Sequence, residues 1–173
     1  VADMRLHGTV ANLRGGALRQ LSASKANGAT RLQFWITHLC CCAAGLVAAP
    51  SELHHEDERV ELSLLAPAAA IECLADLLAI YGEGLRRPLP LFPKSAWVFA
   101  RQLLHKRDAD GALVKARAAF EDGFGHGGEG SNAYIARAFA DAEAALGEEF
   151  AALAGRVFAP LLAAEGKAGE PTA

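Results

Sequence analysis

The chain has 173 residues, 52% of them apolar and 21% charged, with a formal net charge of −3. That length suffices for one domain with a continuous core, and no apolar run approaches the roughly 18 residues of a membrane span. A slightly negative balance weighs against a chain that binds nucleic acid on its own.

Residues 1–6 lack the basic start and long apolar stretch of a signal peptide and read as the interior of a longer protein. Residues 4–13 alternate (Leu6, Gly8, Val10), Arg14-Gly15-Gly16 makes a tight reversal, and residues 17–24 run extended, which predicts a hairpin. Leu32, Trp35, Ile36, Leu39 and Ala43 recur at helical spacing and predict a helix over 30–44 that packs through Trp35, Ile36 and Leu39. The next stretch, 46–58, is polar and turn-like. It gathers His54, His55, Glu56, Asp57 and Glu58, but consecutive ligand types on a loop match neither H-E-x-x-H nor a zinc finger, so a solvated loop is expected. Residues 59–65 alternate again as a half-buried strand. Hairpin, helix and strand in that order give a small mixed sheet whose far strand is reached by a helical crossover.

Pro67 opens the following helix, with an apolar stripe of Ile71, Leu74, Ala75, Leu78 and Tyr81 widened by Leu77 and Ile80, and with Gly82 and Gly84 at its end. The prolines at 88, 90 and 93 enforce an extended link, and Pro93 starts a helix running through Trp97 and Leu104. Asp108-Ala109-Asp110 caps a helix through Phe120. Residues 123–128 match G-x-G-x-x-G in form, yet they follow a helix rather than a strand and read as a loop. Two more helices are expected, the last carrying Leu146, Phe150, Leu153, Val157 and Leu161, before a frayed polar tail from Glu165. These elements make one domain over 1–165 and a disordered tail over 166–173.

Cys40, Cys41 and Cys42 point about 100° apart on a helix and cannot converge on one metal. With Cys73 alone and no C-x-x-C, they read as small buried hydrophobes in a reducing, cytoplasmic protein. Charge is segregated. Residues 1–33 carry Arg5, Arg14, Arg19, Lys25 and Arg31 against Asp3, residues 85–107 carry cations and no acid, and acid dominates from Asp108 to Glu149. Arg14, Arg19, Lys25, Arg31, Arg86 and Arg87 are the candidates for touching phosphates.

The element order resembles the core of the PD-(D/E)XK nuclease fold, in the variety found in RecB-type exonucleases. That family places an aspartate at the end of a G-x-x-D strand and an acidic-x-Lys on the next. Here those positions read Gly8-Thr9-Val10-Ala11 and Ala23-Ser24-Lys25, so the glycine and lysine stand and both carboxylates are alanine. Gln33 falls in the region of a further family motif, but Thr37 stands where an aromatic hydroxyl belongs, and nothing is carried over from it. The segments LQFWITHLCCCAAG, LADLLAIYGEGLRRPLPLFPKSAWVFARQ, VKARAAFEDGFGHGGEG and VFAPLL are similar, in order, to the C-terminal region of RecC, the gamma subunit of exodeoxyribonuclease V.

This resemblance implies an α/β (α+β), restriction-endonuclease-like core without catalytic residues, the C-terminal part of a larger subunit. It implies no enzyme activity of the chain's own, no metal or cofactor, no membrane and no small-molecule substrate. Implied partners are the RecB and RecD subunits, with DNA met in the complex during double-strand break repair. Two alternatives stay open. One is an active Mg²⁺-dependent exonuclease with ligands among Asp3, His7, Glu56, Asp57 and Glu58; the other is an unrelated α/β binding domain.

Overall fold

The computed structural model describes residues 4–121 and 127–166. β1 (Leu13–Arg14) and β2 (Ala17–Leu21) form an antiparallel hairpin. Between them Gly15 and Gly16 have φ of +59° and +74°. A two-residue type I′ turn requires positive φ at both positions, which glycine takes without a steric cost. α1 (Gly28–Ala43) then crosses to β3 (Ser51–His54), which lies parallel to β2, and β4 (Arg59–Leu62) pairs antiparallel with β3. The result is a four-stranded mixed sheet in the order β1-β2-β3-β4, within a mixed α/β fold. Leu18, Leu53, Val60 and Leu62 are buried on one face, with Phe34, Trp35, Leu39 and Cys42 of α1 buried in the same core.

Several expectations are corrected here. Strand pairing stops far short of residue 4: residues 4–12 form no strand, because Asn12 sits at φ +67° and turns the chain out of the ladder. Instead residues 4–10 line an open groove of about 770 Å³ with Thr37, Cys40, Leu46, Ile71 and Leu74. The second strand ends at Leu21 rather than 24, and the last at Leu62 rather than 65. The stretch read as a solvated loop contains β3. It is four residues long and polar at three positions, so its alternation of buried Ser51 and Leu53 with Glu52 and His54 is faint in the sequence. The crossover therefore ends on β3, one strand earlier than expected. On α1 the buried face is Phe34, Trp35, His38 and Leu39, while Ile36 is 41% exposed.

α2 (Pro67–Gly84) begins at its proline as expected, but it buries Ala70, Leu74 and Ile80 and exposes Ile71 and Tyr81. Leu74 and Ile80 belong to the expected stripe, whereas Ile71 and Tyr81 turn outwards from it. α3 (Pro93–Lys106) has no side-chain cap of its own at Phe92. Its first N–H groups are taken by Glu129, whose carboxylate accepts from Lys94 N at 3.0 Å and from Ser95 N and Oγ at 2.8 and 2.7 Å. α4 (Ala109–Glu121) is capped by Asp108, which accepts from Gly111 N at 3.0 Å. A 3-10 turn (Glu129–Ser131), α5 (Ala133–Ala138), α6 (Ala142–Ala145) and α7 (Glu148–Ala164) complete the chain.

Phe150, Leu153, Val157 and Leu161 of α7 are buried as their spacing requires. Glu165 is not frayed: it bridges to Leu62 while Ser63 N bonds Ala164 O at 2.8 Å and Gly166 N bonds Glu61 O at 3.1 Å. Most of the glycine-rich loop (residues 122–126) and the tail (167–173) lie outside the described residues.

The chain divides into two compact units. The first holds the sheet, α1 from Thr30, α2 as far as Tyr81 and the end of α7 from Pro160. The second runs from Gly82 to Ala159 with the short Asn27–Ala29 segment. Its core is aromatic: Phe92 meets Phe120, Phe139 and Phe150 at ring-centroid distances of 4.8, 5.5 and 6.2 Å, and Trp97 meets Phe158 edge-on at 5.7 Å. Among the described residues no helix is long and apolar enough to cross a membrane.

Candidate functional site

In an open sheet, ligands collect at the carboxyl ends of parallel strands. Here that place is where β2 ends at Leu21 and β3 at His54, and it is closed by hydrogen bonds between two loops. Ser22 N bonds His54 O at 2.8 Å, and Ala26 N bonds Asp57 Oδ1 at 2.9 Å. His55 Nδ1 donates to Ser24 O at 3.0 Å. The Ala26 N–H holds the Asp57 carboxyl below its usual range. Arg31, only 5% exposed, pairs with Glu58 on this turn and with Glu165. Asp57 and Glu58 are thus spent on tying loops together, which their consecutive spacing gave no means of reading.

The degenerate-motif positions are all exposed. Ala11 precedes β1, Ala23 and Lys25 follow β2, and the register of the ladder does not set Ala11 opposite Ala23. His7 lies exposed in the groove-lining segment, and Asp3 lies outside the described residues.

The outer face of the sheet holds an arrangement that the sequence did not reveal. Glu52 and Glu61 stand directly opposite each other on β3 and β4. Two carboxylates on adjacent strands are the start of a divalent-cation site, since Mg²⁺ takes oxygen ligands. Arg59, however, bridges them, with Nη2 3.2 Å from Glu52 Oε1 and 3.1 Å from Glu61 Oε2. Glu52 also meets His54 Nε2 at 3.0 Å and Arg19 Nη2 at 3.7 Å. The His54 hydrogen bond first, then Arg59 and Arg19, pull the Glu52 carboxyl below its usual range. A guanidinium holds the place that a metal would take, and the donor set does not fit one. Among the described residues no group of three or more His, Cys, Asp or Glu side chains could hold a metal ion.

A second polar cluster is buried. His38 Nε2 donates to Ser63 O at 3.1 Å, so its Nδ1 accepts from Ser51 Oγ at 2.8 Å. Cys42 Sγ lies 3.4 Å from Nε2. Burial pushes the His38 pKa down and the Cys42 thiol up. A neutral imidazole and an un-ionised thiol, fully enclosed, clamp α1 to the sheet and have no access to a substrate. The one sequence signal was a histidine inside the apolar face of α1.

The proposed phosphate contacts meet different fates. Arg14 and Arg86 are exposed, as is Lys25. Arg19 leans on Glu52, Arg31 is buried, and Arg87 is held by Glu83 and Glu149.

The fold and this metal-unfit sheet face define a mixed α/β domain. The model of the family described as the RecC C-terminal domain matches residues 1–104, more than half of the chain. The chain belongs to that family. It is 38% identical over 103 residues, 56% of its own length, to the RecBCD enzyme subunit RecC of Mycolicibacterium smegmatis (strain ATCC 700084 / mc(2)155), and it spans 9% of that protein.

Proposed function

We propose that this chain is a non-catalytic, nuclease-like domain of a RecC subunit that docks RecB and RecD and helps guide DNA strands in recombinational repair. The observation that carries this reading is the match to the RecC C-terminal domain. A hairpin, a crossover helix and a parallel strand agree with a PD-(D/E)XK ancestry, with Ala11 and Ala23 in place of the two carboxylates. Phosphodiester cleavage of that kind needs a metal to generate the nucleophile and stabilise charge on the phosphate. Arg59 between Glu52 and Glu61 disfavours a replacement metal centre elsewhere on the sheet. Arg31, being buried, has no part in the DNA role.

Two measurements test the proposal. Tagged chain should copurify RecB and RecD from cells that make them, and purified chain should leave single- and double-stranded DNA intact with Mg²⁺ or Mn²⁺. Metal-dependent cleavage that disappears in Glu52→Gln or Glu61→Gln would make the chain an active nuclease. Failure to retain either subunit would remove the docking role.

A further inference from the structure

We propose that the outward face of α3 is a contact surface for the phosphate backbone of a nucleic-acid strand. The inference rests on the reading of a DNA-processing subunit and assigns the contact to a helix of the second unit, inside the basic 85–107 stretch but on cations other than the six candidates named from the sequence.

α3 buries Ser95, Ala96, Trp97, Phe99 and Ala100. Its other side exposes Lys94, Arg101, His105 and Lys106, with Arg107 directly after it. At 100° per residue Lys94 and Arg101 lie within about 20° of one another and about 10 Å apart along the axis, with His105 one turn further on and Lys106 about 120° around the helix from Lys94. No acid interrupts the chain between Glu83 and Asp108. Two neighbouring carboxylates also bond backbone: Glu129 takes the N–H groups of Lys94 and Ser95, and Asp108 that of Gly111. Among the described residues of this unit, Arg87 pairs with Glu83 and Glu149, and Arg117 with Glu121. Lys94, Arg101, Lys106 and Arg107 are in none of these pairs.

Exposed cations that form no ion pair gain free energy when a polyanion neutralises them. Charge complementarity therefore selects the partner. Backbone rather than base contact follows from the aromatics: Trp97 and Phe99 on this helix are 6% and 3% exposed and cannot stack on bases. Binding at this face is then indifferent to sequence and steeply dependent on salt.

The test uses the 173-residue chain and fluorescence anisotropy with a labelled oligonucleotide, single-stranded and duplex, across a salt series. The triple variant Lys94→Gln/Arg101→Gln/Lys106→Gln should lose about tenfold or more in affinity at low salt. Its slope of log K against log[salt] should flatten by about 2–3, at about 0.7–0.9 per phosphate contact. Arg14→Gln/Arg86→Gln should move either quantity far less. Circular dichroism melting checks the fold, and Arg101→Gln alone, with a slope loss of about 1, serves if the triple variant melts early.

Three outcomes overturn the surface: parent-like binding by the triple variant, parent chain that binds no DNA even at low salt, or equal competition by poly-glutamate, which would indicate an acidic protein. Copurification with RecB and RecD, read on the parent chain, separates the two ideas. A parent that retains neither subunit while the triple variant loses DNA binding defeats the RecC-type reading alone, whereas a parent that retains them while the variant binds DNA like the parent defeats this surface alone.

Discussion

His38 shows how much a single side chain can commit to the fold while contributing nothing to chemistry. Both ring nitrogens are engaged, with Ser51 Oγ and Ser63 O, and burial lowers its pKa from an ordinary value of 6.5. The folded chain keeps this imidazole neutral where the unfolded chain protonates it. The unfolded state then binds more protons, so stability is complete above about pH 6.5 and falls as the pH drops through that value towards the lower folded pKa. Urea unfolding at about pH 7.5 and about pH 5.5 should show the parent losing stability on acidification. His38→Gln should be less stable at the higher pH and lose less on acidification. Because His54 and His55 are present in both proteins, the difference between them isolates His38; identical pH dependence would remove it as the cause. The depressed Glu52 carboxyl acts in a separate window, its contribution being lost only at pH values below the ordinary carboxylate range. Ser51→Ala should cost about 1–3 kcal/mol by leaving Nδ1 with only the weak Cys42 thiol, 3.9 Å away, as a donor.

Among the elements, those with local signals were the legible ones. The Gly15-Gly16 turn, Pro67, Pro93 and Asp108 each mark a boundary through their own backbone chemistry, and α1 to α4 begin within two residues of the expected starts. β3 was hidden because it is short and polar at three of its four positions, and because its parallel partner, Arg19 to Leu21, lies far back in the sequence. The face of α2 was legible at Leu74 and Ile80 but not at Ile71 and Tyr81, since an alanine-rich helix offers apolar residues on several sides and the neighbouring elements choose among them. Close approach was equally unreadable. A Cβ on Gly28 would lie 2.0 Å from Pro93 O and 2.5 Å from Trp97 Cβ, whereas one on Gly155, inside α7, would meet nothing within 4 Å. Gly28→Ala should therefore lower the melting temperature by forcing backbone apart. Gly155→Ala should raise stability by about 0.5–1 kcal/mol through helix propensity and a less flexible unfolded chain. Equal shifts for the two substitutions would mean that the contact at Gly28 relaxes without cost.

For the molecule as a whole, the candidate site was legible in its charges and not in their pairing. A basic first stretch and a basic stretch at 85–107 are visible in composition, but which cations remain available depends on acids elsewhere in the chain, such as Glu149 for Arg87. Arg31 is the extreme case. It was expected to face phosphate, and it lies buried on α1 between Glu58 of the β3–β4 turn and Glu165 at the far end of the described chain. One guanidinium thus joins segments 134 residues apart, and a planar fork suits two carboxylates better than an ammonium does. Removing one member of such a pair leaves the others without compensation, at a cost of roughly 3–5 kcal/mol when all are enclosed. Glu58 and Glu165 keep 39% and 21% of their side-chain exposure, so water recovers part of that cost. Arg31→Met should then destabilise the protein by about 2–3 kcal/mol at neutral pH, with Arg31→Lys between it and the parent. Adding Glu165→Gln to Arg31→Met should restore part of the loss, because it removes one of the stranded charges. High salt should change these differences little, since a buried pair is weakly screened. A stability for Arg31→Met within about 0.5 kcal/mol of the parent at both low and high salt would show that the tie is an incidental surface pair.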